Sequence, residues 1–99
     1  MFYVFLANGF EECEALAPVD ILRRADITVK TVGVGGKTII GSHGISVNCD
    51  TDNSNLTTDG LEGIILPGGM PGTLNLEKDS TVQKFIDYSA CNNLLICAI

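Results

Sequence analysis

Apolar positions along the chain fall into short blocks whose period changes. Phe2 to Ala7 is an unbroken run of aromatic, β-branched and aliphatic residues that ends at the turn signal Asn8-Gly9. So short a run, with no polar alternation, predicts a strand covered on both faces, the usual state of a parallel strand. From Glu11 to about Ala25 the period becomes helical. Ala15, Val19 and Leu22 lie at i, i+4 and i+7 and predict one buried stripe. Glu11, Glu12 and Glu14 at the start of that segment, and Arg23 and Arg24 at its end, complement the two ends of a helix dipole. Pro18 falls inside the segment and cannot donate to the carbonyl of Glu14, which predicts a kink.

Ile27 to Val34 reads as a second strand, so the first fifty residues open with a βαβ unit and two parallel strands. Gly35-Gly36 starts a hairpin into Thr38 to Gly41, and a further short strand spans Ile45 to Cys49. Asp50 to Gly60 is polar and predicts a surface connection. Leu61 to Leu66 is the next strand and stops abruptly at Pro67-Gly68-Gly69-Met70-Pro71-Gly72. A second helix is expected over Ser80 to Cys91, with Val82, Phe85 and Ile86 on its stripe and Ser80 as its N-cap. Leu94 to Ile99 is a last strand, and its core-like sequence requires a further layer to cover it. Residues 1–99 are therefore expected to be the N-terminal half of a single α/β domain, completed by a second segment after Ile99.

Composition narrows the class. The 99 residues are 45% hydrophobic and 18% charged, a globular balance. A net charge of −6 with scattered basic residues excludes a nucleic-acid surface. The apolar N-terminus lacks a basic flank and a cleavage site and is too short to span a bilayer, so no membrane association and a cytoplasmic location are expected. Cys13, Cys49, Cys91 and Cys97 form no CxxC pair, and the single His43 has no nearby cysteine. The spacing predicts neither a metal site nor disulfides, and most of the thiols read as buried core residues.

Three segments carry chemistry. Ala7 to Asp20, ANGFEECEALAPVD, places Glu14 just beyond the carboxyl end of the first strand, the rim where open parallel sheets bind ligands. Its three glutamates also fit a plain helix start. Leu66 to Met70, LPGGM, turns sharply on two glycines and leaves backbone NH groups at the same rim, where they serve as an oxyanion cradle or only as a tight turn. It matches no nucleotide-binding fingerprint. Asn93 to Ile99, NLLICAI, is a strand of the kind that leads into a nucleophile elbow.

Together these segments resemble the ThiJ/PfpI family. The likeness rests on Ala7-x-Gly9-x-Glu11-Glu12-x-Glu14, Pro18-Val19-Asp20, Arg23-Arg24-Ala25, Ser42-His43-Gly44-Ile45, Leu66-Pro67-Gly68-Gly69 and Asn93 to Ile99, in that order. The resemblance implies a flavodoxin-like three-layer α/β/α sandwich with a mainly parallel sheet, of which this chain is the N-terminal part. It implies that Glu14 is the carboxyl group that donates a hydrogen bond to a nucleophilic sulfur. Gly68 and Gly69 are the pair whose NH groups face that sulfur, and the cysteine itself directly follows Ile99. Cys97 is the alternative nucleophile, but it falls inside the strand and reads as core. The activity implied is cofactor-independent, cysteine-dependent chemistry on small reactive carbonyls or glycated proteins, of glyoxalase or deglycase type. The same cysteine would also suit a redox-sensing, chaperone-like protein. The family's names further point to thiazole phosphate biosynthesis or intracellular proteolysis. A homodimer through the first helix and its neighbouring strands is expected.

Overall fold

The computed structural model describes all residues from Met1 to Ile99. Phe2–Leu6 forms β1, Glu12–Arg24 α1 and Val29–Gly33 β2. Thr38–Ile40 and Ser46–Asn48 follow as β3 and β4, Thr51–Asp52 as β5 and Gly63–Leu66 as β6. Gly72–Lys78 is α2, Ser80–Cys91 α3 and Leu95–Ala98 β7. Five strands make one sheet in the order β5-β2-β1-β6-β7, and every pairing in it is parallel. The β3–β4 hairpin is a separate antiparallel pair.

β1 lies in the middle of the sheet, and its alternation builds two cores. Tyr3, Phe5 and Ala7 point to one face and pack with Leu76 of α2 and with Val82 and Phe85 of α3. Val4 and Leu6 point to the other and pack with Ala15 and Val19 of α1 and with Ile39 of the hairpin. The sheet is thus a middle layer between α1 with the hairpin and the α2–α3 pair, a flavodoxin-like α/β/α arrangement. On the α2–α3 side the rings of Tyr3 and Phe5 meet Phe85 at 5.5 and 5.7 Å between centroids. No helix is long and apolar enough to cross a membrane.

Several expectations shift at their edges. α1 runs as one helix through Pro18. α3 covers the expected residues, but its N-cap is Asp79, whose carboxylate accepts from the NH of Val82 at 3.0 Å, and not Ser80. A charged oxygen on an extended residue outcompetes the neighbouring serine there. Two short elements lie where loops were expected. β5 pairs with β2 inside the polar connection, and α2 begins directly after the glycine-rich turn with no side-chain cap. The cysteines also differ from expectation. Among residues 1–99 only Cys49 is buried, while Cys13, Cys91 and Cys97 are exposed.

One polar clamp ties α1 to the sheet. The Asp50 carboxylate accepts from the Thr31 NH at 2.8 Å, the Thr31 hydroxyl at 3.1 Å and the Arg23 guanidinium at 2.7 Å. Partial burial pushes the Asp50 carboxyl up, but the Thr31 hydrogen bonds and the Arg23 charge outweigh it and hold the group below its ordinary value. A carboxyl lowered by folding stabilises the native state above its unfolded pKa and ceases to do so as pH falls through the folded one. Melting temperatures of wild type and Asp50→Asn, measured from pH 7 downwards, are therefore expected to differ most above the ordinary aspartate value of 3.8 and to converge as pH falls through the lower folded value. A constant difference across that range would show that Asp50 acts through its shape and not its charge.

Candidate functional site

Parallel strands present their carboxyl ends on one edge, and there the turns after β1 and β6 and the tip of the hairpin come together. The turn after β1 is held on both sides. Gly9 NH donates to Ile40 O at 2.8 Å, Ser42 NH to Phe10 O at 2.8 Å, Glu11 NH to Gly68 O at 2.8 Å and Gly72 NH to Gly9 O at 3.2 Å. This contact leaves no room for side chains on the backbones that meet. A Cβ on Gly69 would stand 2.5 Å from the Glu11 nitrogen, and Gly69 also has φ +104°. Gly9 has φ +89° and lies against the ring of Pro71. Both positions need glycine for conformation and for approach.

The three glutamates do not share one task. Glu11 is the N-cap of α1; its Oε2 accepts from the Glu14 NH at 2.9 Å. Glu12 stands on the buried stripe of the helix, one turn before Ala15, with only 5% of its surface exposed. Its Oε2 accepts from the NH of His43 at 2.8 Å and of Ile45 at 3.4 Å, and its Oε1 faces His43 Nδ1 at 2.9 Å. Burial by itself would raise the Glu12 carboxyl. The hydrogen bonds from the His43 side chain and from backbone NH groups overcome it and lower the group to about 2. The same contact, together with the Glu12 and Glu11 charges, raises His43 against the opposing effect of burial. Nothing in the spacing of residues 12 and 43 announces this pair. The only signal was a carboxylate in phase with Ala15, Val19 and Leu22.

Glu14 turns the other way, toward the glycine turn. Its Oε1 accepts from the Gly68 NH at 3.0 Å. The carboxylate and the glycine pair therefore sit on the same edge of the sheet. The NH that reaches Glu14 is that of Gly68, while Gly69 supplies the sharp turn beside Glu11. Ile99 NH continues the pairing by donating to Leu66 O at 3.2 Å, which brings the Ile99 carbonyl over Gly68. Glu14 also opens onto a groove of about 450 Å³ between α1 and β7, bounded by Cys13, Pro18, Ile21, Cys97 and Ile99. Cys97 pairs in register with Ile65, inside the strand and two residues short of the point where Glu14, Gly68 and Ile99 converge. The arrangement brings the Glu14 carboxyl group, the Gly68 NH and the end of β7 together at one point of the rim.

The two glycines should respond differently to alanine. A methyl group on Gly68 would lie 2.5 Å from Glu14 Oε1 and 3.0 Å from the Ile99 carbonyl oxygen, and the carboxylate is free to swing away. At Gly69 the obstacle is backbone, and the φ is left-handed. Gly68→Ala is expected to lower stability by about 1–3 kcal/mol, within the usual overpacking range, and Gly69→Ala by more. Urea unfolding of the two variants checks the order, and equal midpoints would refute it.

The chain is 33% identical over 97 residues to protein dj-1beta of Drosophila melanogaster, covering 97% of this chain and 52% of that protein. A solved Cys-to-Ala variant of a DJ-1 superfamily protein from Salmonella typhimurium superposes with a TM-score of 0.93 at 34% identity, over 98% of this chain and 53% of that one. Oxidised DJ-1 of Toxoplasma gondii superposes with a TM-score of 0.93 at 28% identity, over 98% and 53%. The chain thus spans about half the length of these relatives. The sequence pattern of the DJ-1/PfpI family matches residues 2–99, and the chain belongs to that family.

Proposed function

We propose that the protein is a cofactor-independent, cysteine-dependent enzyme acting on reactive carbonyls, of glyoxalase or protein deglycase type. Its nucleophile is a cysteine directly after Ile99, in a second segment that completes the domain. The observation that carries this reading is the hydrogen bond between Gly68 NH and Glu14 Oε1, at the point where β7 delivers Ile99. With one oxygen engaged by Gly68, Glu14 turns the other toward a sulfur at that point. A thiolate so held adds to an aldehyde carbon. The new S–C bond leaves a hemithioacetal whose oxygen takes up a proton. For methylglyoxal, hydrogen then moves from the aldehyde carbon to the ketone carbon, so that one is oxidised and the other reduced. Water releases the 2-hydroxy acid and restores the thiol. Gly68 and Gly69 shape the turn against which the carbonyl oxygen rests.

The alternative is a redox sensor in which the same sulfur is oxidised and Glu14 donates to the oxidised form. The oxidised state of the Toxoplasma gondii relative favours keeping it. Thiazole phosphate biosynthesis and intracellular proteolysis, the older functions attached to the family names, gain no support from the site.

Turnover decides between enzyme and sensor. The intact full-length protein is expected to convert many equivalents of methylglyoxal to lactate. Glu14→Leu is expected to lower kcat/KM by about 10²–10⁴, the usual contribution of a positioned acid. One equivalent consumed and no more would overturn the enzymatic reading in favour of the sensor.

We also propose a homodimer formed through α1 and its neighbouring strands, with Pro18 and Arg24 on the buried face. Exposed Ile21 on α1 and exposed Ile40 and Ile45 on the hairpin, all on one side of the sheet, support it. Light scattering at micromolar concentration is expected to give twice the chain mass. A monomer mass would refute it.

A further inference from the structure

Asn8 and Gly9 make more hydrogen bonds than a two-residue turn requires. Phe10 NH donates to Ala7 O at 3.0 Å and closes the turn, with Gly9 at its third position and φ +89°. That is the conformation a type II turn demands. The Asn8–Gly9 peptide unit is then pinned at both ends. Its carbonyl, Asn8 O, accepts from Asn75 Nδ2 of α2 at 2.8 Å. Its NH, on Gly9, donates to Ile40 O of β3 at 2.8 Å. The side chain is held as well, since Asn8 Oδ1 accepts from the Ile40 NH at 2.9 Å. Asn8 is exposed, so water could have satisfied the same groups. The hairpin and α2 instead meet on this one asparagine.

The chemistry of an Asn-Gly step explains what the clasp restrains. Glycine has no Cβ to shield its nitrogen, and the chain has one such step. The Gly9 nitrogen attacks Asn8 Cγ: the N–C bond forms, the Cγ–Nδ2 bond breaks, and ammonia leaves with the proton that the nitrogen gave up. Water then opens the succinimide ring at either carbonyl. One opening gives aspartate; the other gives isoaspartate, in which the main chain runs through the side-chain carboxyl.

We propose that Asn8-Gly9 is a deamidation site that the hairpin and α2 keep shut, and that its conversion disables the rim. Attack requires the Gly9 nitrogen to surrender the proton it donates to Ile40 O. It also requires the peptide unit to rotate away from Asn75 and Ile40. Conversion therefore proceeds from a locally opened state, and its rate scales with the population of that state. The attack is internal to residues 8 and 9, so only water has to reach them. Isoaspartate is the damaging product. It lengthens the main chain by one methylene inside the closed turn, beside the bonds from Gly72 NH to Gly9 O at 3.2 Å and from Glu11 NH to Gly68 O at 2.8 Å. Those contacts hold the start of α1, and with it Glu14, against the glycine turn. The loss of activity rests on the enzymatic role proposed for Glu14; the deamidation itself does not.

Intact full-length protein is kept in warm, mildly alkaline buffer, and residue 8 is followed by peptide mass and by isoaspartate-specific methylation. Native wild type is expected to convert at least about tenfold more slowly than the same chain unfolded in guanidinium chloride. Asn75→Ala, which frees Asn8 O without touching a strand, is expected to convert several-fold faster than native wild type. Methylglyoxal turnover is expected to fall in step with isoaspartate at residue 8. Equal rates in the native and unfolded chains, an Asn75→Ala rate equal to that of wild type, or full turnover after conversion would each overturn the proposal. A protein with no turnover from the outset would refute the enzymatic reading alone, and the mass and methylation readouts would still decide whether the clasp keeps Asn8 shut.

Discussion

The burial of β1 on both faces is the constraint on which the structure depends. Val4, Phe5 and Leu6 have no exposed surface, and their side chains alternate between two cores. A strand of that kind needs a strand on each edge and a helical layer on each side. β2 and β6 supply the edges, and both run parallel to it. Parallel pairing then fixes the site. The carboxyl ends of β1 and β6 come to lie side by side, so the turns that follow them touch.

Within that contact, function is divided by direction around the helix axis. Three glutamates in the first turn of α1 reach three different partners: the helix's own backbone, the hairpin and the glycine turn. Glu12 is buried without cost in unpaired charge because backbone NH groups satisfy it. Its position between the helix and the hairpin keeps the rim closed on one side. Glu14, two residues on, is left to face the end of β7.

β7 itself is shaped differently from the other strands. It pairs in register with β6 from Gly63 to Leu66, yet all four of its residues are exposed. Grooves flank its end on both faces of the sheet, one of about 450 Å³ beside Pro18 and one of about 230 Å³ beside Leu76 and Ile86. Among residues 1–99 its one hydrogen-bonded neighbour is β6. These relatives extend to about twice this length.

The sequence by itself determined the fold class, the parallel course of the strands and the family. These depend on local periods, on turn residues and on the order of segments, all of which are written along the chain. Glu14 and the Gly68-Gly69 turn were legible for the same reason, since each directly follows a strand whose end defines the rim. α2 and β5 were not legible. Seven residues without a capping side chain, and two residues in a polar loop, owe their form to the sheet they pack on. The tertiary structure alone decided which glycine NH meets Glu14. It also brought Glu12 to His43. Side-chain partners separated by 31 to 54 residues are chosen by how the turns approach in space, and no local pattern encodes that approach.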